Sequence, residues 1–132
     1  MLRWSLLAGC LYFLGVAVVH MIGLRVPGLY VYFDVPSHAF QDRIISVLAF
    51  GWSLFLFTAF TNPVRNRDLV SAILAAGAVA VLGLGVVNLT THFGSLSPTS
   101  RVWVFWLETL ALGLYVSWLV LCYFRARADL EA

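Results

Sequence analysis

Four long apolar stretches alternate with short polar breaks along the chain. They run from about Trp4 to Leu24, Ile44 to Phe60, Leu69 to Val87 and Val102 to Phe124. Each is close to the ~20 residues a helix needs to cross the hydrocarbon core of a bilayer. Hydrocarbon offers the backbone no hydrogen-bonding partner, so each run must satisfy its own peptide groups as a helix. The breaks are punctuated by Pro27-Gly28, Asn62-Pro63 and Ser97-Pro98, where a helix stops. The pattern predicts an all-α, polytopic membrane protein: a single domain over residues 1–132, with four transmembrane helices in an antiparallel bundle.

Composition strengthens this reading. Of 132 residues, 62% are hydrophobic and 11% are charged, against about 25% charged in a soluble domain. A core this small cannot hide so much apolar surface from water. The net charge of +2 is too weak to imply a nucleic-acid partner. Cys10 and Cys122 both fall inside apolar runs and read as small buried hydrophobes.

Arginine placement sets the predicted orientation. With both termini on one side, that side holds Arg3, Arg65, Arg67, Arg125 and Arg127, and the other holds Arg25, Arg43 and Arg101. The excess puts both termini in the cytoplasm. The longest loop, from about Arg25 to Asp42, is then outside. Its Tyr30, Tyr32, Phe33 and Phe40 suggest a segment lying in the headgroup region. Asp34 or Ser37 is a candidate cap for a short helix leading into the second span. The third span is rich in small residues, among them Ala75, Gly77, Gly83 and Gly85. Small residues let membrane helices approach closely, so this helix is predicted to be central, with Gly113 and Ser117 as a matching face on the fourth.

Two local motifs are set aside. Leu7-Ala8-Gly9-Cys10 spells a lipoprotein cleavage box, but only nine residues precede the cysteine and apolar sequence continues past it. The first span is therefore expected to persist as a helix. Asn88-Leu89-Thr90 spells a glycosylation acceptor at a helix end, where a transferase has poor access.

Ionisable groups at membrane depth are costly and mark sites by default. His20 lies about four residues, or roughly 6 Å, inside the outer end of the first span, and Glu108 about seven residues, or roughly 10 Å, inside the fourth. Asn88 sits at comparable depth in the third. His38, His92, Asp34, Asp42, Arg43 and Arg101 share that outer side. His20, Asn88 and Glu108 form the candidate ligand or proton-relay layer. His20 and Glu108 are placed to pair with each other, to carry a proton or to hydrogen-bond a quinone. His20, His38, His92 and Glu108 are the candidate ligands for a transition metal, and His20 for a haem. A competing reading makes the layer simple interhelical glue, with no cofactor.

Arg3 at the head of the first span, four short-looped spans and a first loop that re-enters the second span resemble small bacterial inner-membrane proteins of the DoxX-like kind. Gln41-Asp42-Arg43-Ile44-Ile45-Ser46 has the look of a family signature. The resemblance is one of topology over the whole chain, and it implies a subunit linked to quinone redox complexes. The small size and lack of soluble mass favour an accessory or assembly subunit of a larger membrane complex, or a homo-oligomer. A ligand- or redox-active site is the alternative, and a transporter or channel component comes third. An enzyme is the less favoured class, since the sequence has no nucleophile elbow and no phosphate loop.

Overall fold

The structure is a computed structural model that describes residues 1–30 and 32–131, the last three of these by backbone only. It is all-helical. Helix α1 spans Leu2–Ile22, α2 Ala39–Thr61, α3 Arg67–Thr90, α4 Phe93–Leu96 and α5 Val102–Glu131. All but the short α4 are long and apolar enough to cross a membrane, the composition of a membrane protein.

Helix ends follow local chemistry. α1 stops at Gly23, which takes a left-handed φ of 71° and donates to the His20 carbonyl, while Leu24 N–H reaches Val19 O at 2.9 Å. Glycine adopts that φ without steric cost and so closes the helix. α2 begins five residues before the predicted Ile44. Its first turn holds Gln41, Asp42 and Arg43, whose polarity hides it from a hydropathy reading. The cap is His38, whose N–H donates to Gln41 Oε1 at 3.4 Å, and neither Asp34 nor Ser37 fills that role. α2 ends at Asn62, whose side chain accepts the Arg65 N–H at 3.0 Å. α5 runs past the predicted Phe124 into the arginine-bearing tail. Its 30 residues make about 45 Å of helix, longer than the hydrocarbon core.

α1 packs most extensively against α2, and α3 against α5; the α2–α3 and α1–α5 contacts are smaller. The prediction that α3 is central is corrected. Only 11% of the α3 span is buried in the protein, against 39% of α1. The small residues of α3 are only partly used: a Cβ at Gly77 would come within 2.9 Å of Val116, whereas Gly83 and Gly85 have open space around them. On α5, Gly113 does face α3, at Val81.

At the end that carries the chain termini, a core of Leu2, Leu6, Cys10, Leu56, Ala59, Val70, Ile73, Leu119 and Cys122 joins all four long helices. Both cysteines lie there, buried and unbridged. α1 and α5 are tied nearby through Ser5, whose carbonyl accepts the Tyr115 hydroxyl and whose Oγ accepts Trp118 Nε1–H, both at 2.9 Å. At the other end, Val19, Tyr30, Phe33, Phe93 and Phe105 form a second cluster. Tyr30 and Phe33 are only 2% and 4% exposed. The first loop is thus folded in among the helices. Its aromatic rings bury apolar area against α1 and α5, and only Phe40 stays largely exposed.

Candidate ligand cleft beneath the first loop

The loop from Leu24 to His38 enters the helix cluster through a tight turn. Val26 O accepts the Leu29 N–H at 3.2 Å, Pro27 takes the second position, and Gly28 follows with φ 81°. Proline then a positive-φ glycine is the preferred chemistry of a type II turn. A turn packed against helices leaves peptide groups in need of partners. Gly28 finds both: its N–H donates to Glu108 Oε1 at 2.7 Å, and its carbonyl accepts the Tyr12 hydroxyl at 2.7 Å.

Three further polar anchors hold the loop. Tyr32, at φ 55°, is the one described residue other than glycine with positive φ. Its hydroxyl donates to Asn88 Oδ1 at 3.2 Å, and Asn88 Nδ2 donates to Thr109 Oγ1 at 2.9 Å. The Tyr32 ring lies against Phe93 and edge-on to Phe105, and these contacts offset the strain of its backbone. Asp34 accepts Arg101 Nε–H at 2.9 Å. The Arg101 guanidinium holds the Asp34 carboxyl below its ordinary range. On the α2 side, Tyr30 Oη and Ser37 Oγ are 2.8 Å apart, Ser37 donates to Asp42 Oδ2 at 3.0 Å, and His20 stacks on Tyr30 with ring centroids 4.0 Å apart. Burial raises the Tyr30 hydroxyl's pKa first, and the neighbouring Asp42 adds to the rise.

The candidate residues therefore divide. His20 is 1% exposed and its Nδ1 lies 3.8 Å from Asp42 Oδ1. Glu108 stands in a separate group with Gly28, so the expected His20–Glu108 pair is replaced by His20–Asp42. Sequence spacing yields the depth of a residue but not which way its helix is turned. Asn88 joins Tyr32 and Thr109, next along α5 from Glu108. His38 stacks on Phe40 and His92 caps α4, both at exposed positions. Among the described residues no three of His, Cys, Asp and Glu come together, and the four candidate metal ligands are not gathered. Arg43 is exposed on the first turn of α2.

Two cavities adjoin Glu108. One, of about 370 Å³, lies between α1 and α5 and is lined by Ala8, Gly9, Tyr12 and Tyr115 among others. The second, of about 410 Å³, reaches Tyr32, Ala80, Leu84, Phe105 and Thr109. Tyr12, Phe13, Gly28, Glu108 and Leu112 line both. None of the three histidines lines either. Glu108 is the one carboxyl group among the lining residues, which otherwise are apolar or carry the hydroxyls of Tyr12, Tyr32, Thr109 and Tyr115. Tyr12 and Gly28 are the site residues that sequence reading passed over. The Pro-Gly pair signalled the turn, and a tyrosine in mid-span was an unexplained polar group; their meeting with Glu108 is a long-range event.

Comparison with protein-family models, with curated proteins and with solved structures gives no match.

Proposed function

We propose that the chain is a ligand-binding membrane protein that holds a small lipid-soluble molecule in the cleft between α1 and α5, against the Glu108 carboxylate. In this reading the four long helices form an antiparallel bundle in the plasma membrane, both termini are cytoplasmic, and the cleft lies toward the outer face. The arginine distribution supports that orientation. The observation that carries the function is the pair of cavities sharing Tyr12, Phe13, Gly28, Glu108 and Leu112. Ligand sites are mostly apolar hollows of about 300–1,000 Å³ with a few placed polar groups, and a carboxylate at membrane depth is a site by default. A haem fits less well, because no histidine faces the cleft.

The test is to purify the protein in a mild detergent and identify co-purifying small molecules by mass spectrometry, beside Leu112→Trp, which fills the shared wall. A species retained by the wild type and lost from the variant supports the reading. Equal small-molecule content in the two proteins overturns it.

A second reading, an accessory or assembly subunit of a larger complex or a homo-oligomer, is favoured by α3. Its span is 11% buried, and it presents Val79, Leu82, Val86 and Leu89 outward. Stoichiometric co-purification of other membrane proteins supports this reading; a protein that migrates alone as a monomer opposes it.

A further inference from the structure

The class of ligand can be narrowed from the hydrogen-bonding inventory of the cleft, an inference that rests on the ligand-site reading above. We propose that the cleft takes a lipophilic cation: a protonated or quaternary amine, or an equivalent onium centre, on an apolar body and without a phosphate.

The donors facing the cleft are already engaged. The Tyr12 hydroxyl donates to Gly28 O, the Tyr32 hydroxyl to Asn88 Oδ1, the Thr109 hydroxyl to Phe105 O, and the Gly28 N–H to Glu108. A hydroxyl has one proton to donate, so each of these hydroxyls can offer a ligand only acceptor lone pairs, and the amide N–H, once engaged, offers nothing. A quinone, a carboxylic acid or a phosphate would bring acceptors to a wall of acceptors.

Glu108 has the opposite need. Among the described residues its carboxylate accepts one hydrogen bond, from Gly28, and joins no ion pair. The arginines at this end lie elsewhere: Arg101 is held on Asp34, Arg25 at Ser37 and over the Tyr30 ring, and Arg43 is exposed on α2, outside both cavity linings. A carboxylate at this depth without a counter-ion is complemented by a positive charge. Tyr12, Phe13, Tyr32 and Phe105 line the same space, and aromatic faces attract organic cations. An anion beside four rings finds its electrostatic complement in a ligand that is cationic and apolar together. An amine-bearing phospholipid headgroup shares the ammonium, but its phosphate would meet no donor in this cleft.

The experiment uses the full chain in nanodiscs of phosphatidylcholine. Binding of tetraphenylphosphonium is measured against triphenylphosphine, a neutral molecule of similar shape, and against a short-chain quinone. Glu108→Gln keeps an acceptor for Gly28 and removes the charge. The expected result is saturable binding of the cation, little binding of the neutral analogue, and a loss on the order of 30-fold or more in Glu108→Gln, the scale for deleting one partner of a desolvated charge pair. Should Glu108→Gln not fold, the preference of the wild type for the cation over triphenylphosphine decides alone. If the neutral analogue or the quinone binds as well as the cation, and Leu112→Trp abolishes that binding, the cation assignment is overturned while the ligand site stands. Binding of none of the probes overturns the cation assignment, while the co-purification test above continues to decide the site itself. Displacement of the cation when phosphatidylethanolamine is added to the discs overturns the phosphate-free assignment in favour of a lipid headgroup.

Discussion

The Gly28 N–H donates to Glu108 Oε1 across 2.7 Å, although eighty residues separate the two along the chain. The contact joins a turn in the first loop to the last helix, and Tyr12 on α1 completes it from the carbonyl side. One carboxylate thereby satisfies a half-buried backbone donor and faces a cavity. The two roles separate by substitution. Glu108→Gln keeps the acceptor, and its unfolding in detergent is expected to match the wild type. Glu108→Ala strands the amide and is expected to cost about 1–3 kcal/mol. Equal stability of the two variants would show that the Gly28 contact contributes nothing.

Gly28 itself is expected to resist substitution for a backbone reason. A Cβ there would meet nothing within 4 Å, yet φ is +81°. Gly28→Ala is expected to lose about 1–2 kcal/mol, the cost of a left-handed L-residue. The reference is Gly51→Ala on α2, where there is also open space but no positive φ; it is expected to be neutral or stabilising. Thermal unfolding of both variants checks this, and a Gly28→Ala protein as stable as Gly51→Ala refutes the strain argument.

Much of this architecture was legible as hydropathy, and the rest was hidden for physical reasons. Four spans follow from four apolar runs because lipid demands them. The start of α2 escaped because Gln41, Asp42 and Arg43 are helical yet polar. The burial of Tyr30 and Phe33 escaped because aromatic residues suit both a headgroup belt and a folded-in loop. The partners of His20 and Glu108, Asp42 and Gly28, depend on helix rotation and on a loop path that no local pattern encodes. The small residues of α3 signalled close approach, which Gly77 makes, but not centrality, which belongs to α1.

The Asp34–Arg101 pair gives a pH dependence with a defined sign. Arg101 lowers the Asp34 pKa in the folded protein below its ordinary value of 3.8. The pair therefore contributes its full stability above about pH 3.8 and loses it as pH falls through the lowered value. Stability measured down to pH 2 is expected to drop more steeply in the wild type than in Asp34→Asn, and the difference is expected to shrink in high salt, because Arg101 is largely exposed. Parallel curves for the two proteins would remove Asp34 from the loop's anchors.

Gly9 of α1 packs directly against Tyr115 of α5. A Cβ at this position would overlap the Tyr115 hydroxyl, which in turn donates to Ser5 O at 2.9 Å. Gly9→Ala must push that hydroxyl aside, breaking its hydrogen bond and wedging the helices apart. Overpacking of this kind costs about 1–3 kcal/mol. Tyr115→Phe alone forfeits the one bond, worth about 0.5–1.5 kcal/mol. In the double variant the clashing oxygen is gone, although the ring carbon that carried it remains at 3.0 Å from the new methyl. The double variant is therefore expected to be more stable than the sum of the two single losses implies, as coupled neighbours are. A double-mutant cycle measured by unfolding in detergent reads this directly. Strict additivity would place the Gly9 requirement elsewhere than at Tyr115. Because both residues line the cavity beside Glu108, ligand retention in the same variants reports whether the α1–α5 spacing sets the width of the cleft.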